Sequence, residues 1–423
     1  MKNQNLMEKL LVGVAVEWKA LGEVGEFLRG KRFVKADMVS EGFPCIHYGE
    51  LYTHYGIWAK QAKSFLKDEL ASKLRVASHG DVVIVAAGET IEDIGKGTAW
   101  LGKTDVVIHD ACFSYKSTLN PKYVSYFLRT KQFHDQIKKH VSSGKISSIH
   151  SNGLGKALIP IPSPDNPEKS IEIQCEIVRI LDTFTKLTAE LTAELTARKK
   201  QYTYYRNQLL TFEDGQVEWK ALGDISDIYG GLTGKSKADF ENGNASYITY
   251  KNIFNNIEVN FEKLESVKVS DSENQHEVKY GDVLFTGSSE TAEDAGMSSA
   301  VTTEFEGSVY LNSFSFGVRF YEDIKLIPEF SKYLFRSHFM RSGIAKTASG
   351  VTRFNISKAR FKKILIPIPP REIQSEIVAI LDKFDALTNS ITEGLPREIE
   401  QRQKQYDYYR EMLLSFPKAE VEA

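Results

Sequence analysis

Two clusters of acids have the composition of a metal-dependent nuclease site: Glu89, Glu92 and Asp93, and again Glu290, Glu293 and Asp294. Carboxylates grouped this way can share a divalent cation. Both clusters follow a Gly-Asp-Val segment (Gly80-Asp81-Val82 and Gly281-Asp282-Val283), and that shared placement points to a repeated structural loop. Gly230-Gly231-Leu232-Thr233-Gly234-Lys235-Ser236 has the glycines and lysine of a phosphate cradle, but a Walker A pattern needs glycine where Tyr229 stands. Asn120-Pro121-Lys122-Tyr123 approaches the Asn/Asp-Pro-Pro-Tyr/Phe motif of adenine methylation, with lysine in place of the second proline. No glycine fingerprint for S-adenosylmethionine follows a convincing strand, so the cofactor fold that methylation of a flipped base requires is missing. The nine histidines show no zinc-like spacing. Ser143-Gly144-Lys145 and Ser349-Gly350-Val351 have no nucleophile–base arrangement beside them. The expectation is a chain with no catalytic, cofactor-binding or metal-binding residues.

What remains is the chemistry of binding. Base edges are read by amides, guanidinium groups, amines and carboxylates, while phosphates are held by Lys, Arg and small donors. Lys122 to Lys156 holds seven Lys/Arg and one acid, Asp135; Lys325 to Lys363 holds ten and one acid, Glu329. Net charge is only −2, so the nucleic-acid signal is the matched pair of basic stretches and not bulk charge. In the first half the DNA-facing candidates are Lys31, Arg32 and Lys35, the polar-aromatic patch Tyr48, Tyr52, His54 and Tyr55, and Lys138, Lys139, Lys145 and His150. In the second they are Lys235, Lys237, Tyr250, Lys251, Arg341, Lys346, Arg353 and Asn355.

The elements that position these residues are duplicated. Glu17-Trp18-Lys19-Ala20-Leu21-Gly22 returns as Glu218-Trp219-Lys220-Ala221-Leu222-Gly223, and Ile173-Gln174-Cys175-Glu176-Ile177-Val178 returns as Ile373-Gln374-Ser375-Glu376-Ile377-Val378. The offset of about 200 residues suits a repeated domain and is too long for a solenoid unit. Each half opens with the Glu-Trp-Lys-Ala-Leu-Gly turn and continues through a region of mixed pattern with short alternating segments such as Asp81–Val85 and Asp282–Thr286. Helical stretches at Pro121 to Lys139 and Pro328 to Ser342 come next. Leu158-Ile159-Pro160-Ile161-Pro162 and Leu365-Ile366-Pro367-Ile368-Pro369 then close each domain in extended form, because proline forbids helix there.

Long helices begin near Ser170 and Arg371. Ile173, Ile177, Ile180, Phe184, Leu187, Leu191 and Leu195 step by four and three, and Ile373, Ile377, Ile380, Phe384, Leu387 and Ile391 repeat the seam. Packing the two seams together would hide both, antiparallel if the halves share a pseudo-twofold axis. Gly394 and Pro396 should kink the second helix or let it bulge. Its stretch from Thr388 to Lys404 is four residues longer than Thr188 to Lys200. Met7-Glu8-Lys9-Leu10-Leu11 resembles the tail Arg410-Glu411-Met412-Leu413-Leu414, as if the repeat were arranged in a circle. The reading is an α+β fold with pseudo-twofold internal duplication: two mixed, strand-rich domains separated by two long helices packed as an antiparallel coiled coil. Its parts are residues 1–16, an N-terminal piece of the circular helical repeat; 17–160, the first domain; 161–217, the central helical spacer; 218–367, the second domain; and 368–423, the C-terminal spacer. The three cysteines, Cys45, Cys112 and Cys175, are odd in number and far apart, and no apolar run approaches a membrane span or a signal peptide. A cytoplasmic protein is expected.

These repeats resemble the specificity subunit of type I restriction-modification systems over nearly the whole chain. The resemblance rests on the Glu-Trp-Lys/Leu-Gly openings, the Ile-Pro-Ile-Pro exits with Ile-Gln-x-Glu-Ile-Val-x-Ile-Leu-Asp, and the Tyr-x-Tyr-Tyr-Arg-x-x-Leu-Leu ends. It implies two target-recognition domains, each reading one half of a bipartite site in double-stranded DNA, and helices that hold them apart and dock two methyltransferase subunits. Motor-nuclease subunits can join such complexes. S-adenosylmethionine, ATP and magnesium would belong to the partner subunits. Docking candidates are the aromatic helix ends Tyr202, Tyr204, Tyr205 and Arg206, and Tyr406, Tyr408, Tyr409 and Arg410. The tandem Thr188-Ala189-Glu190-Leu191-Thr192-Ala193-Glu194-Leu195 marks the spacer at Thr188, Leu191, Thr192 and Leu195; in part of the family the copy number of Thr-Ala-Glu-Leu sets the unread gap. Two other classes are weighed against this reading. A self-contained methyltransferase-nuclease lacks its motifs and the necessary length. A scaffold that binds two partners without reading DNA leaves the paired basic stretches unexplained.

Overall fold

The computed structural model describes residues 13–142, 144, 146–213, 215–390 and 392–416. Lys145, Ile391 and the segment Met7 to Leu11 lie outside the described residues. The chain divides into two compact units, one made of the residues up to Leu191 together with those from Ile399, the other of Thr192–Glu398.

The first unit is built on a five-stranded sheet in the order Gly25–Arg29, Cys112–Ser117, Val82–Val85, Gly97–Trp100, Trp58–Ala59. The alternation expected of Val82–Val85 is absent, because the strand is buried throughout and is apolar on both faces. The preceding Gly-Asp makes the turn into it: Gly80 has φ +94°, and the Asp81 carboxylate accepts the Ser78 N–H at 2.9 Å. The second unit repeats the plan with Ser226–Gly230, Ser315–Phe320, Val283–Thr286 and Ser298–Ala300. Gly281 has φ +85°, and Asp282 accepts the Lys279 N–H at 2.8 Å. Each unit adds a second sheet, of five strands in the first and three in the second, around one parallel pair, Phe43–Ile46 with Val106–Ile108 and Ala245–Ile248 with Val309–Leu311.

The Glu-Trp-Lys-Ala-Leu-Gly segments are strands leading into a single helical turn, not turns alone. Val16–Ala20 pairs antiparallel with Leu158–Pro162, setting Trp18 opposite Pro160; Glu218–Ala221 pairs with Leu365–Ile368, setting Trp219 opposite Pro367. Each domain is therefore zipped where its chain enters and leaves, on a two-stranded ribbon in which the prolines break no wider ladder. The expected helices at Pro121 and Pro328 each divide in two, Pro121–Phe127 then Lys131–Ile137, and Pro328–Leu334 then His338–Ala345. A side-chain cap starts the second piece in both: Thr130 Oγ1 accepts the Phe133 N–H, and Ser337 Oγ accepts that of Met340.

Three long helices complete the described residues: α1 (Pro167–Leu209), α2 (Arg371–Asn389) and α3 (Gly394–Leu414). The seam does more than join helices, since Ile173, Ile177 and Leu181 are buried in the first unit's core and Ile377, Val378 and Leu381 in the second's. Ile373 and Ile380, assigned to the seam by periodicity, are 40% and 41% exposed, because α2 turns Gln374, Ile377 and Leu381 inward. The repeated polar residues are anchors. Gln174 Oε1 accepts the Asn120 N–H and Gln374 Oε1 accepts the Ile327 N–H, each at 2.9 Å, at the start of a short helix in its own domain. Asp182 receives the Tyr126 hydroxyl at 2.8 Å and Asp382 that of Tyr333 at 2.6 Å.

Further along, Phe184 of α1 stacks on Tyr409 of α3 in the first unit (4.9 Å), and Tyr205 of α1 stacks on Phe384 of α2 in the second (5.6 Å). As α1 advances its partners run backwards, which is the antiparallel sense. Phe184 and Tyr205 are 21 residues apart, Phe384 and Tyr409 25. The four extra residues fall in the break between Asn389 and Gly394, so the second arm is interrupted and not merely kinked. Gly394 has φ +77°, and a Cβ there would sit 2.3 Å from the Ala386 carbonyl oxygen.

Candidate nucleic-acid interface

In the first unit the segment after Gly30, the end of the Phe43–Ile46 strand, the turn at His109 to Ala111 and the edge at Ala87 to Glu89 enclose a cleft of about 770 Å³. Glycine permits that closure, because a Cβ at Gly30 would lie 2.2 Å from the His109 carbonyl oxygen. Three candidates converge here, Arg32 and Lys35 from the opening loop and Tyr48 from the strand end, and they are joined by Ile146 of the basic stretch, which was not among the candidates. Pairing of Ser147–Ser148 with Ala87–Gly88 brings in that last segment. The remaining candidates divide by role. Tyr52 donates its hydroxyl to the Ala87 carbonyl at 3.1 Å and so braces the cleft edge. Tyr55 is buried, its hydroxyl accepts the Lys63 N–H at 2.7 Å, and burial pushes the phenol up to about 12. Lys31 donates to the Lys73 carbonyl at 2.9 Å. His54, Lys138, Lys139 and His150 are exposed.

Composition did not single out His47 and His109, which line the same cleft with ring centroids 4.7 Å apart. Phe33 meets both rings edge-on. Desolvation lowers the pKa of each ring; the His109 ring further lowers that of His47, and the Asp110 carboxylate acts in the opposite direction on His109. Their signal would have been equivalence to the other half, where Thr249 and Asn312 occupy the corresponding places. His109 N–H donates to the Ile46 carbonyl as Asn312 N–H does to that of Ile248. A Cβ at Gly231 would crowd the Asn312 carbonyl as Gly30 does that of His109.

The second unit gathers its candidates around Ser288. Tyr250 donates its hydroxyl to the Ser288 carbonyl at 2.9 Å, Arg353 Nε donates to Ser288 Oγ at 3.0 Å, and Asn355 pairs with Ser288 across the strands. The Arg353 guanidinium also covers the Phe314 ring, which is 62% exposed. Val351 at the hairpin tip is 91% exposed. Lys237 and Lys251 are exposed as well. Three other candidates lie elsewhere. Lys235 is ion-paired with Glu273 at 2.5 Å, which holds that carboxyl down at about 2. Arg341 donates to the Glu293, Ala295 and Gly296 carbonyls, and burial drives its pKa down to about 10. Lys346 borders a separate recess with Asn207, His338 and Phe339.

The acid clusters belong to loops closed by threonine, Thr90 Oγ1 donating to Asp93 at 2.6 Å and Thr291 Oγ1 to Asp294 at 2.8 Å. Among the described residues no group of three His, Cys, Asp or Glu could hold a metal ion, and no helix is long and apolar enough to cross a membrane. The helix-end tyrosines separate in the same way in both copies. Tyr202 and Tyr406 are buried, each beneath an arginine, Arg206 at 5.5 Å and Arg410 at 5.2 Å. Tyr205 and Tyr409 form the helix–helix stacks with Phe384 and Phe184, whereas Tyr204 and Tyr408 are 62% and 54% exposed. Of the spacer residues, Thr188, Leu191 and Leu195 are half-buried and Thr192 is exposed.

Residues 14–198 and 216–401 each match the family described as "Type I restriction modification DNA specificity domain". The chain is 36% identical to the type I restriction enzyme EcoR124I/EcoR124II specificity subunit of Escherichia coli, over 100% of this chain and 99% of that protein. It is 30% identical to a putative type I restriction enzyme specificity subunit of Haemophilus influenzae, over 98% and 99%. Among solved structures, a chain from a study of assembly and conformational transition of the type I R-M system superposes with a TM-score of 0.60 at 17% identity, covering 94% of this chain and 97% of that one. That likeness is one of fold.

Proposed function

Because this chain belongs to the family of type I restriction-modification DNA specificity proteins, we propose how its two units divide the work of a specificity subunit. The protein is a non-catalytic, sequence-specific DNA-binding subunit of a type I restriction-modification complex, each recognition domain reading part of a bipartite site. Our reading assigns target recognition to 17–160 and 218–367, spacing to 161–217 and 368–423, and a part of the circular helical repeat to 1–16. The observation that carries it is the recurrence, in both units, of one loop arrangement that presents cations and polar aromatics around the same sheet edge. In the first unit Arg32, Lys35 and Tyr48 form the DNA-facing surface, with Lys138, Lys139, Lys145 and His150 positioning the backbone. In the second, Tyr250, Arg353 and Asn355 form it, with Lys237 and Lys251 on phosphates and Lys346 set apart at its own recess. Tyr52, Tyr55, Lys31, Lys235 and Arg341 brace these loops, and His54 lies at the margin.

The duplicated Tyr204 and Tyr408 suit two copies of one partner, and two methyltransferase subunits are the proposed occupants, with motor-nuclease subunits recruited in turn. The S-adenosylmethionine, ATP and magnesium chemistry is assigned to those partners. Mapping methylated adenines genome-wide, with the chain present beside its methyltransferase and with the chain alone deleted, tests this. Loss of one bipartite motif on deletion is the expected result. An unchanged map would refute it and favour a scaffold that does not read DNA.

A further inference from the structure

The two units place different chemistry at one equivalent position. In the second unit Asn312 is satisfied internally: its amide donates to the Ile248 carbonyl at 3.0 Å, and its side-chain oxygen accepts from Phe314 N–H and Ser315 Oγ. Thr249 caps the helix beginning at Tyr250 by accepting the Asn252 N–H. In the first unit the same places hold two imidazoles at the wall of an open cleft. His47 Nδ1 accepts the Gly49 N–H at 3.3 Å, which leaves Nε2–H as its donor edge, and no described residue hydrogen-bonds to that Nε2.

His109 Nδ1 lies 3.1 Å from the Ala111 N–H and 2.9 Å from an Asp110 oxygen. It can accept from the first or donate to the second, not both, and the ring also hydrogen-bonds the Phe33 backbone, so His109 is held by its own domain while His47 keeps the free edge. The groups facing the pair are Arg32 and Lys35 from the opening loop, Glu50 from the helical turn Glu50–Thr53, Asp110 from the turn after Ile108, and Tyr48 and Glu89 on the cleft wall. A cleft with cations at its mouth and a ring N–H donor inside matches a phosphate backbone and a base-edge acceptor together.

We propose that His47 and His109 together determine specificity in the first half-site, His47 presenting its Nε2–H to an acceptor on a base edge and His109 holding that ring in place. The proposal rests on the DNA-reading function proposed for the chain. The acceptor nitrogen of neutral His47 is taken by the Gly49 N–H, so the ring offers DNA a donor in either state, and protonation adds a charge that attracts any sequence. Discrimination in the first block therefore falls as the rings take up protons, while discrimination in the second block does not.

The test uses the full chain in complex with its methyltransferase. The double variant His47→Thr with His109→Asn transplants the second unit's residues, and His109→Gln serves as a milder change should the double variant fail to assemble. Methylated-adenine mapping should show the first block relaxed or altered at one or more positions, with the second block and the gap unchanged. Binding to the specific duplex should weaken about 5- to 150-fold for each base that the variant no longer reads. As pH falls below about 6.5, preference for the specific duplex over one scrambled in the first block should fall for the parent protein and stay flat for the assembled double variant. An unchanged first block in either assembled variant overturns the proposal while leaving the DNA-reading function intact. Absence of any bipartite motif with the parent chain would instead refute the underlying function.

Discussion

Deleting Thr192 to Leu195 from α1 removes one of two tandem four-residue copies, and its consequence can be worked from helix geometry. At 1.5 Å and about 100° per residue the deletion shortens the helix by about 6 Å and rotates its C-terminal portion by about 400°, a net phase change of about 40°. B-DNA advances about 3.4 Å per base pair, with about 10.5 base pairs per turn and hence about 34° each. The length change corresponds to one or two base pairs and the phase change to about one. The cut falls outside the anchored part of the helix, since Gln174 and Asp182 hold the first recognition domain and Tyr202 and Leu210 are buried in the second unit. The interruption between Asn389 and Gly394 gives the opposing arm somewhere to adjust. Methylation mapping of the deletion variant should return both sequence blocks unchanged around a gap one or two base pairs shorter. An unchanged gap with full methylation, or altered blocks with an unchanged gap, would refute the view that α1 sets the spacing.

Three further outcomes are expected. Gln374→Leu strands the Ile327 N–H and the Lys325 and Pro369 carbonyls; at about 1–3 kcal/mol for each buried group left unpaired, it should destabilise the second unit by about 3 kcal/mol in denaturant unfolding, and a loss under about 1 kcal/mol contradicts the anchor role. His47, His109 and His134 all have pKa values lowered chiefly by desolvation. The unfolded chain then binds more protons below about pH 6.5, so stability should be full above that value and decline as pH falls through the folded pKa values; His134→Gln should shallow that acid limb in pH-dependent melting, and an identical limb would exclude His134 from it. Tyr204→Ala with Tyr408→Ala should leave the melting profile within about 0.5 kcal/mol of the parent, as for exposed sites, yet weaken co-purification of the methyltransferase, and undiminished assembly would move the docking surface elsewhere.

The basic stretches show where a linear reading is too generous. Lys122 is bound to Asp182 at 2.6 Å, and Lys332 bridges Glu258 and Asp382. Arg129 donates to the Gly56 and Gly97 carbonyls, and Arg336 to those of Ser298, Ile253, Phe254 and Asn256. Burial pushes the Arg336 guanidinium down to about 10. These cations hold loops and helices in place, and only their partners, which come from remote segments, distinguish them from Lys138 or Lys237. A charge count carries no information about partners. The seam has the same weakness, because a period of three and four fixes a face without saying whether a helix or a domain covers it.

The duplication, the proline-marked exits, the absence of catalytic motifs and the long helices were all determined by sequence alone, because each is a property of neighbouring residues or of two copies laid side by side. The division of α2 from α3 was half legible, since Gly394 and Pro396 announce an interruption but not its extent. Tertiary structure decided the rest: that the repeated Gln and Asp anchor each recognition domain to its helix, that Tyr202 and Tyr406 turn inward while Tyr204 and Tyr408 face out, and that Arg32, Tyr48, His109 and Ile146 share one cleft. Those residues are brought together by strand pairing across tens of positions, and register between distant strands is fixed by burial of the whole sheet face, not by any segment's own pattern.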